Sequence, residues 1–424
     1  MTTTVDILAE KGEAVRRASR KLASLSADTK NRALSGIAGN LIAQRENILE
    51  ANARDIEAGR SSGLSEALLD RLLLDTARLE GLARDVEKVA ALPDPVGEVI
   101  DMQVLPNGLS AGRVRVPLGV IGAIYESRPN VSIDISALCL KSGNGCILRG
   151  GKESINSNRA LTELVRSSIG EAGVPEDAVQ FIDSTDRALV EGMLKLKQYI
   201  DLMIPRGGAD FVRYVGEEAA MPVVTGGVGV CHTYVDRSAD LEMAVNIAFN
   251  AKTQRPSVCN ALDTLLVHSG VAATHLPAIA HRWSRAGVEM RCDSRALSIL
   301  GPTQGSAVVP AGEGDWGQEY LDLIASVKVV DSLDEALEHI EKYGSGHSEA
   351  IVTGDYTSAS RFMKEVDAAA VLVNASTRFV DGGQFGLGSE VGISTQKFHA
   401  RGPLGLRELT SYKWIVQGNG QVLG

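Results

Sequence analysis

The alternation that begins at Val120 constrains this chain more than any other feature. Val120-Ile121-Gly122-Ala123-Ile124-Tyr125 is an unbroken apolar run of strand length. A strand with no polar side is covered on both faces, which is the mark of a parallel sheet. Helical spacing follows over residues 133–141, a short strand over 146–148, and a long helix over 154–172, closed by Gly173 and Pro175. Residues 179–182, 187–196, 201–204 and 209–218 continue the pattern. A second series starts near Leu241, with strands at 264–267, 327–330, 350–352 and 370–373 and helices at 241–251, 271–286, 333–342 and 358–366. Parallel strands joined through helices need right-handed crossovers. The pattern therefore predicts an α/β protein with two doubly wound, Rossmann-like domains.

The first ninety residues read as helices: Leu34, Ile37, Leu41 and Ile48 recur at helical spacing, as do Leu79, Leu82, Val86 and Val89. Pro93-Asp94-Pro95 ends that region. Two alternating runs, 99–105 and 109–116, flank Pro106-Asn107-Gly108 and predict a protruding hairpin. Such a ribbon has little core of its own, so it is expected to pack on another element or subunit. The apolar tail over 404–416 is expected to pair outward in the same way. A length of 424 residues suits two or three domains with a sizeable core.

The balance of 43 basic and 53 acidic side chains, net −10, weighs against nucleic acid or an anionic membrane as partner. No stretch is long and apolar enough to span a bilayer, and the start of the chain lacks a signal-peptide pattern. Five cysteines, Cys139, Cys146, Cys231, Cys259 and Cys292, form no C-x-x-C pair. Reduced thiols in a cytoplasmic protein are the expectation, with no metal site.

The standard nucleotide motifs fail. Gly312-Glu313-Gly314-Asp315-Trp316-Gly317 has the spacing of a dinucleotide fingerprint, but Pro310 precedes it and no long helix opens after it. Gly145 to Lys152 approximates a phosphate-binding loop with the spacing off by one, and Glu153 stands where a magnesium-binding hydroxyl is required. Among the cysteines, Cys259 differs from the rest. A polar segment, Asn250-Ala251-Lys252-Thr253-Gln254-Arg255-Pro256-Ser257-Val258-Cys259-Asn260-Ala261, delivers it between two regular elements. Lys252 and Arg255 are near enough in sequence to favour its thiolate. A buried, inert thiol is the competing reading.

Four strings in order resemble the aldehyde dehydrogenase superfamily and, within it, the γ-glutamyl phosphate reductases. They are Pro117-Leu118-Gly119-Val120 running into Tyr125-Glu126-Ser127-Arg128-Pro129-Asn130, the stretch Lys141 to Glu153, the Cys259 segment, and Lys342-Tyr343-Gly344-Ser345-Gly346-His347-Ser348-Glu349. The resemblance spans nearly the whole chain. It implies an aldehyde-dehydrogenase-like fold: an NADP(H)-binding domain over 1–97 and 118–229, a catalytic domain over 230–384, an oligomerisation element over 98–117 and 402–424, and a return segment over 385–401.

The same resemblance implies the chemistry. Cys259 is the nucleophile and Asn130 the side-chain donor for the developing oxyanion. Arg149, Lys152 and Glu153 lie by the adenosine ribose, where two cations suit a 2′-phosphate and hence NADPH over NADH. Arg206, Gly207 and Gly208 open a helix whose amides suit the pyrophosphate, and Glu319 corresponds to the ribose-binding glutamate. Ser127, Arg128 and Arg255, with Arg206 as a further candidate, are expected to meet the anionic groups of the substrate, L-glutamate 5-phosphate. Val224 occupies the place of the glutamate base of hydrolytic members, in Val223-Val224-Thr225-Gly226-Gly227. Without that base a thioester is spared from water and left for reduction. The expected assembly is a homodimer or homotetramer, with glutamate 5-kinase as a candidate partner that supplies the acyl phosphate. A CoA-acylating aldehyde dehydrogenase is the alternative within the fold, and a non-catalytic scaffold the alternative outside it.

Overall fold

The computed structural model describes residues 4–224, 226, 228–301 and 308–423. Five helices open the chain: α1 (Thr4–Leu22), α2 (Ala27–Ala43), α3 (Arg45–Ser61), α4 (Glu66–Leu72) and α5 (Thr76–Ala91). Ser26, Ser65 and Asp75 cap α2, α4 and α5 through side-chain oxygens that accept early amide N–H groups. The hairpin follows as expected: β1 (Val99–Val104) pairs antiparallel with β2 (Ser110–Pro117). Gly108 turns it with φ +83°, in the left-handed region that glycine tolerates.

The first α/β series is β3 (Val120–Tyr125), α6 (Asn130–Lys141), β4 (Gly145–Gly150), α7 (Ile155–Glu171), β5 (Val179–Phe181), α8 (Arg187–Leu194), β6 (Leu202–Arg206) and α9 (Ala209–Glu218). Its four strands are parallel in the order β5-β4-β3-β6, and every residue of β3 is buried. The helix expected from residue 133 begins at Asn130, because Pro129 fixes the turn that enters it.

The second series is β7 (Cys231–Val235), α10 (Leu241–Thr253), β8 (Leu262–His268), α11 (Ser269–Arg285), β9 (Glu289–Cys292), α12 (Ser294–Leu300), β10 (Val308–Pro310), β11 (Ile324–Val330), α13 (Leu333–Tyr343), β12 (Ser348–Val352), α14 (Tyr356–Glu365) and β13 (Ala370–Val373). Seven parallel strands lie in the order β10-β9-β11-β8-β7-β12-β13. A small antiparallel pair, β14 (Ile393–Ser394) and β15 (Gly402–Pro403), follows. The last strand, β16 (Thr410–Gln417), pairs with β2 along its whole length and makes the hairpin a three-stranded sheet.

The chain forms two compact units. One holds residues 1–225, 386–392 and 404–424; the other holds 226–385 and 393–403. The core of the second unit gathers Leu262, Leu265, Val267, Leu276, Ile279, Trp283 and Val327 between α10, α11 and the sheet. Among the described residues no helix is long and apolar enough to cross a membrane. The Gly312–Gly317 string lies in a short 3-10 turn with its glycines exposed, and not between a strand and a helix.

Candidate active site

Strand order points to a crevice in the first unit. The chain leaves β3 toward β4 on one side and returns as β6 on the other, so the order reverses between β3 and β6. In open parallel sheets, ligands bind outside the carboxyl ends of the strands at such a reversal. Tyr125 is level with both Gly150 and Arg206. The loops leaving those three positions carry most of the residues expected to bind cofactor.

Ser127, buried in the turn after β3, has φ +42°. Glu153 holds this left-handed turn: its Oε1 accepts the Ser127 amide at 2.6 Å and the Ser127 hydroxyl at 2.8 Å. A Cβ on Gly151 would lie 2.0 Å from the same oxygen, so only glycine leaves the carboxylate room. Glu153 is thus first a scaffold for the turn, and its second oxygen is the one left for a ligand.

Arg149, at the end of β4, keeps its Nε buried with no hydrogen-bond partner. Burial lowers its pKa, the Glu153 carboxylate opposes that, and the charge of Arg187 adds to the lowering. The buried donor without an acceptor is the feature that suits an anion, with Arg187 adding a second cation and Glu153 a carboxylate to the surroundings. Arg187 was not among the sequence candidates. Lys152 stands exposed beside them.

At the third loop, Arg206 is half-buried and α9 begins after Gly208. The Gly208 amide donates to Oε2 of Glu126 at 3.1 Å, and a Cβ on Gly207 would lie 2.4 Å from that oxygen. A carboxylate of the chain itself therefore sits where the cofactor's pyrophosphate was expected. Asn130, in the first turn of α6, donates through Nδ2 to Oδ2 of Asp134 at 3.0 Å. Burial pushes the Asp134 carboxyl up to about 7. Asp134 went unremarked in the sequence, although four residues along a helix is contact distance. Arg128 lies half-buried between Ser127 and Asn130.

In the second unit Cys259 lies in a turn just ahead of β8 and is the one cysteine of the five that is not buried. Burial raises the thiols of Cys139 and Cys231, and takes Cys292 up to about 12. The Cys259 turn is tied from several sides. Its carbonyl accepts from the Cys231 thiol at 3.2 Å, and Asn260 donates to the Val380 carbonyl at 2.8 Å. A Cβ on Gly229 would lie 1.7 Å from the Cys259 carbonyl oxygen, so the strand entering β7 passes where only glycine fits. Glu319, expected at a ribose, accepts that same Gly229 amide at 2.9 Å. The Cys259 side packs against Ala350, Leu372, Val380 and Ile393.

The cations near Cys259 divide differently from expectation. Lys252 is fully buried and faces Asp263 at 3.5 Å. Burial lowers the lysine and raises the aspartate to about 6, so the Lys252 charge is answered by Asp263. Arg255 is exposed. Val224 is buried, with its amide on the Met203 carbonyl at 2.9 Å; Thr225 and Gly227 of that string lie outside the described residues. No cluster of three metal-binding side chains occurs among the described residues.

Known proteins align with this arrangement over most of its length. The model of the aldehyde dehydrogenase family matches residues 4–304. The γ-glutamyl phosphate reductase of Dehalococcoides mccartyi strain CBDB1 is 60% identical over 98% of both chains. A crystal structure of γ-glutamyl phosphate reductase from Thermotoga maritima superposes with a TM-score of 0.95 at 50% identity, covering 98% of this chain and all of that one. An acetylating aldehyde dehydrogenase from Geobacillus thermoglucosidasius shares the fold, with a TM-score of 0.72 at 16% identity over 99% and 98% of the two chains. The chain belongs to the aldehyde dehydrogenase family and, within it, to the γ-glutamyl phosphate reductases.

Proposed function

We propose that this chain is a glutamate-5-semialdehyde dehydrogenase that works in the reductive direction, converting L-glutamate 5-phosphate and NADPH to L-glutamate 5-semialdehyde, phosphate and NADP. The observation that carries the reading is Cys259. It is the one accessible thiol, fixed in a turn by Cys231, Gly229 and Asn260, in a chain 60% identical to a γ-glutamyl phosphate reductase.

The Cys259 thiolate attacks the acyl carbon, the bond to phosphate breaks, and a thioester remains on sulfur. Charge gathers on the carbonyl oxygen in this addition and again during reduction. The Cys259 amide and the Asn130 amide side chain are the donors for it, and Asp134 sets the Asn130 orientation. By the sequence resemblance Val224 takes the place of a water-activating base, and an apolar residue there favours reduction of the thioester over its hydrolysis.

The residues of the first unit fit a phosphorylated nicotinamide cofactor. Arg149, with its buried unpartnered Nε, and its neighbours Arg187 and Lys152 supply cations for a 2′-phosphate. Arg206, Gly207 and Gly208 would hold the pyrophosphate, in exchange for the Glu126 carboxylate that the Gly208 amide now meets, and Glu153 and Glu319 would hold the riboses. When bound, NADPH supplies hydride. Ser127, Arg128 and Arg255 offer contacts to the substrate's anionic ends.

The outer sheet supports a homodimer or homotetramer. By register Trp414 and Val416 are exposed on one face of the sheet, at 65% and 56%, and Val99 and Val104 on the other, at 58% and 75%, so each face offers apolar side chains that a second copy would cover. A glutamate 5-kinase is the class of enzyme that makes the acyl phosphate. Cys259→Ser tests the whole reading in the reverse assay with semialdehyde, phosphate and NADP. Activity should fall at least about 10⁴-fold. A variant that keeps a tenth of its rate, or a wild type that needs CoA in place of phosphate, overturns it.

A further inference from the structure

A second arginine, Arg378, lies on a segment remote from Cys259 in sequence that packs against the cysteine turn. Ser376-Thr377-Arg378-Phe379 follows β13, with a short 3-10 turn over Thr377–Phe379. Two hydrogen bonds fasten it to the cysteine segment: Arg378 Nε donates to Oε1 of Gln254 at 2.9 Å, and Asn260 Nδ2 donates to the Val380 carbonyl at 2.8 Å. Ala375 and Val380, on either side of the arginine, pack in the same apolar cluster as Cys259. The Nε bond fixes the plane of the guanidinium. Its two Nη groups have no hydrogen-bond partner among the described residues and are not sealed from solvent. The charges that act on Arg378 are those of Asp381, Arg255, Cys259 and Cys231. Arg378 thus sits on a segment packed against the cysteine turn, held by its neck with its fork open, and Asp381 is the carboxylate that faces it.

We infer that Arg378, assisted by Arg255, is the receptor for the phosphate of the acyl phosphate, presenting its Nη fork to the group that leaves from the carbon attacked by Cys259. The inference rests on the reaction proposed above and names the residue that handles its leaving group. Phosphate is favoured over the substrate's α-carboxylate by position. Phosphate is bonded to the acyl carbon through one oxygen, whereas three carbons separate that carbon from the α-carboxylate. A cation on the segment packed against the cysteine turn is therefore nearer the phosphate than the α-carboxylate. A planar fork matches a phosphate's oxygens in two parallel hydrogen bonds, which a lysine does not reproduce. In the step itself, the sulfur–carbon bond forms and the carbon–oxygen bond breaks. The electron pair leaves on the phosphate oxygen, where Arg378 receives the charge. The proton given up by the thiol balances the one taken up by the departing phosphate.

The test uses the intact chain and needs no substrate. Cys259 is alkylated with iodoacetate, an anion, and in parallel with neutral iodoacetamide, with Cys259→Ser as the blank. Both reagents need the thiolate, so their rate ratio reads the local cation and cancels any change in thiol pKa. Arg378→Gln should lower the iodoacetate-to-iodoacetamide ratio about tenfold, Arg255→Gln should lower it less, and Arg378→Lys should restore part of it. Inorganic phosphate should slow iodoacetate on the wild type and lose that effect in Arg378→Gln. In the reverse assay, Arg378→Lys should raise KM for phosphate about tenfold and leave KM for semialdehyde unchanged. An unchanged alkylation ratio in Arg378→Gln, no protection of the wild type by phosphate, or a rise confined to the semialdehyde KM overturns the inference. The wild-type protection experiment decides the matter even where a variant fails to fold. Phosphate protection in an enzyme that proves to use CoA would reject the proposed reaction and leave the receptor standing.

Discussion

The two α/β units share one construction and place their candidate chemistry at opposite ends of it. In the first unit, the turns that gather Ser127, Glu153, Arg149 and Gly208 leave the carboxyl ends of β3, β4 and β6. That is where an open parallel sheet ordinarily binds ligands. In the second unit the order reverses between β7 and β12, yet the carboxyl ends of those strands are closed by their own side chains. Asp236 accepts from Tyr234, Ser238 and Thr353, while the Asn374 side chain brackets the Thr353 backbone from both sides. Cys259 lies at the other edge, next to the amino ends of β7 and β8, with Cys231 and His347 around it. A polar network that satisfies itself leaves no donor or acceptor for a ligand. A parallel sheet is therefore a frame, and the loop chemistry at each edge decides which edge works.

The comparison breaks most severely at Gly229. Gly229→Ala drives a methyl into the Cys259 carbonyl and should cut turnover about a hundredfold or more. NADPH binding, followed by fluorescence, should weaken much less, since the added methyl meets the Cys259 carbonyl while the Gly229 amide that Glu319 accepts is retained. Loss of both functions would mean that the units do not divide the labour. A smaller effect is expected on the other side. Glu153→Ala frees the strained Ser127 turn and should raise KM for NADPH about tenfold. Iodoacetamide should still label Cys259 at the wild-type rate, and slowed labelling would count against a role confined to the first unit.

The two units also respond to pH with opposite signs at particular residues. Burial raises Asp134 of the first unit from about 4 to about 7, so the folded state holds its proton where the unfolded chain has lost it. Its contribution to stability declines as pH rises across that window. Asp134→Asn should flatten the dependence by about 1.4 kcal/mol per pH unit, measured by urea unfolding between pH 5 and 7. His339 of the second unit is buried against His232, Trp316 and Tyr343, with Lys328 and Lys342 nearby, and burial first, then those charges, bring it down to about 3. The unfolded chain binds that proton below about 6.5 and the folded chain does not, so stability falls as pH drops from about 6.5 toward 3. His339→Phe should remove a similar slope on the acid side. Glu349 and Asp263, raised by burial in the same unit, lean the other way. The difference between variant and wild type is therefore the quantity to read, and equal slopes in both would refute the assignment.

Periodicity made the strands and helices legible, because an apolar run of six residues such as Val120–Tyr125 has only a buried parallel sheet to go to. The hairpin was legible from its turn residues, and Cys259 from the polar segment around it. What escaped was pairing between distant segments. Nothing local announces that Lys252 spends its charge on Asp263, that Glu126 occupies the Gly208 amide, or that Arg378 reaches Gln254 across 124 positions.

By itself the sequence determined the class of fold and the order of the elements, and it singled out one cysteine from five as the candidate, since these follow from side-chain period and from the local polarity of one segment. Only the tertiary structure decided which charges meet and which amides are already taken. Coulomb energy and hydrogen bonding depend on distances of a few ångströms, and such distances between remote residues exist only once the chain has packed.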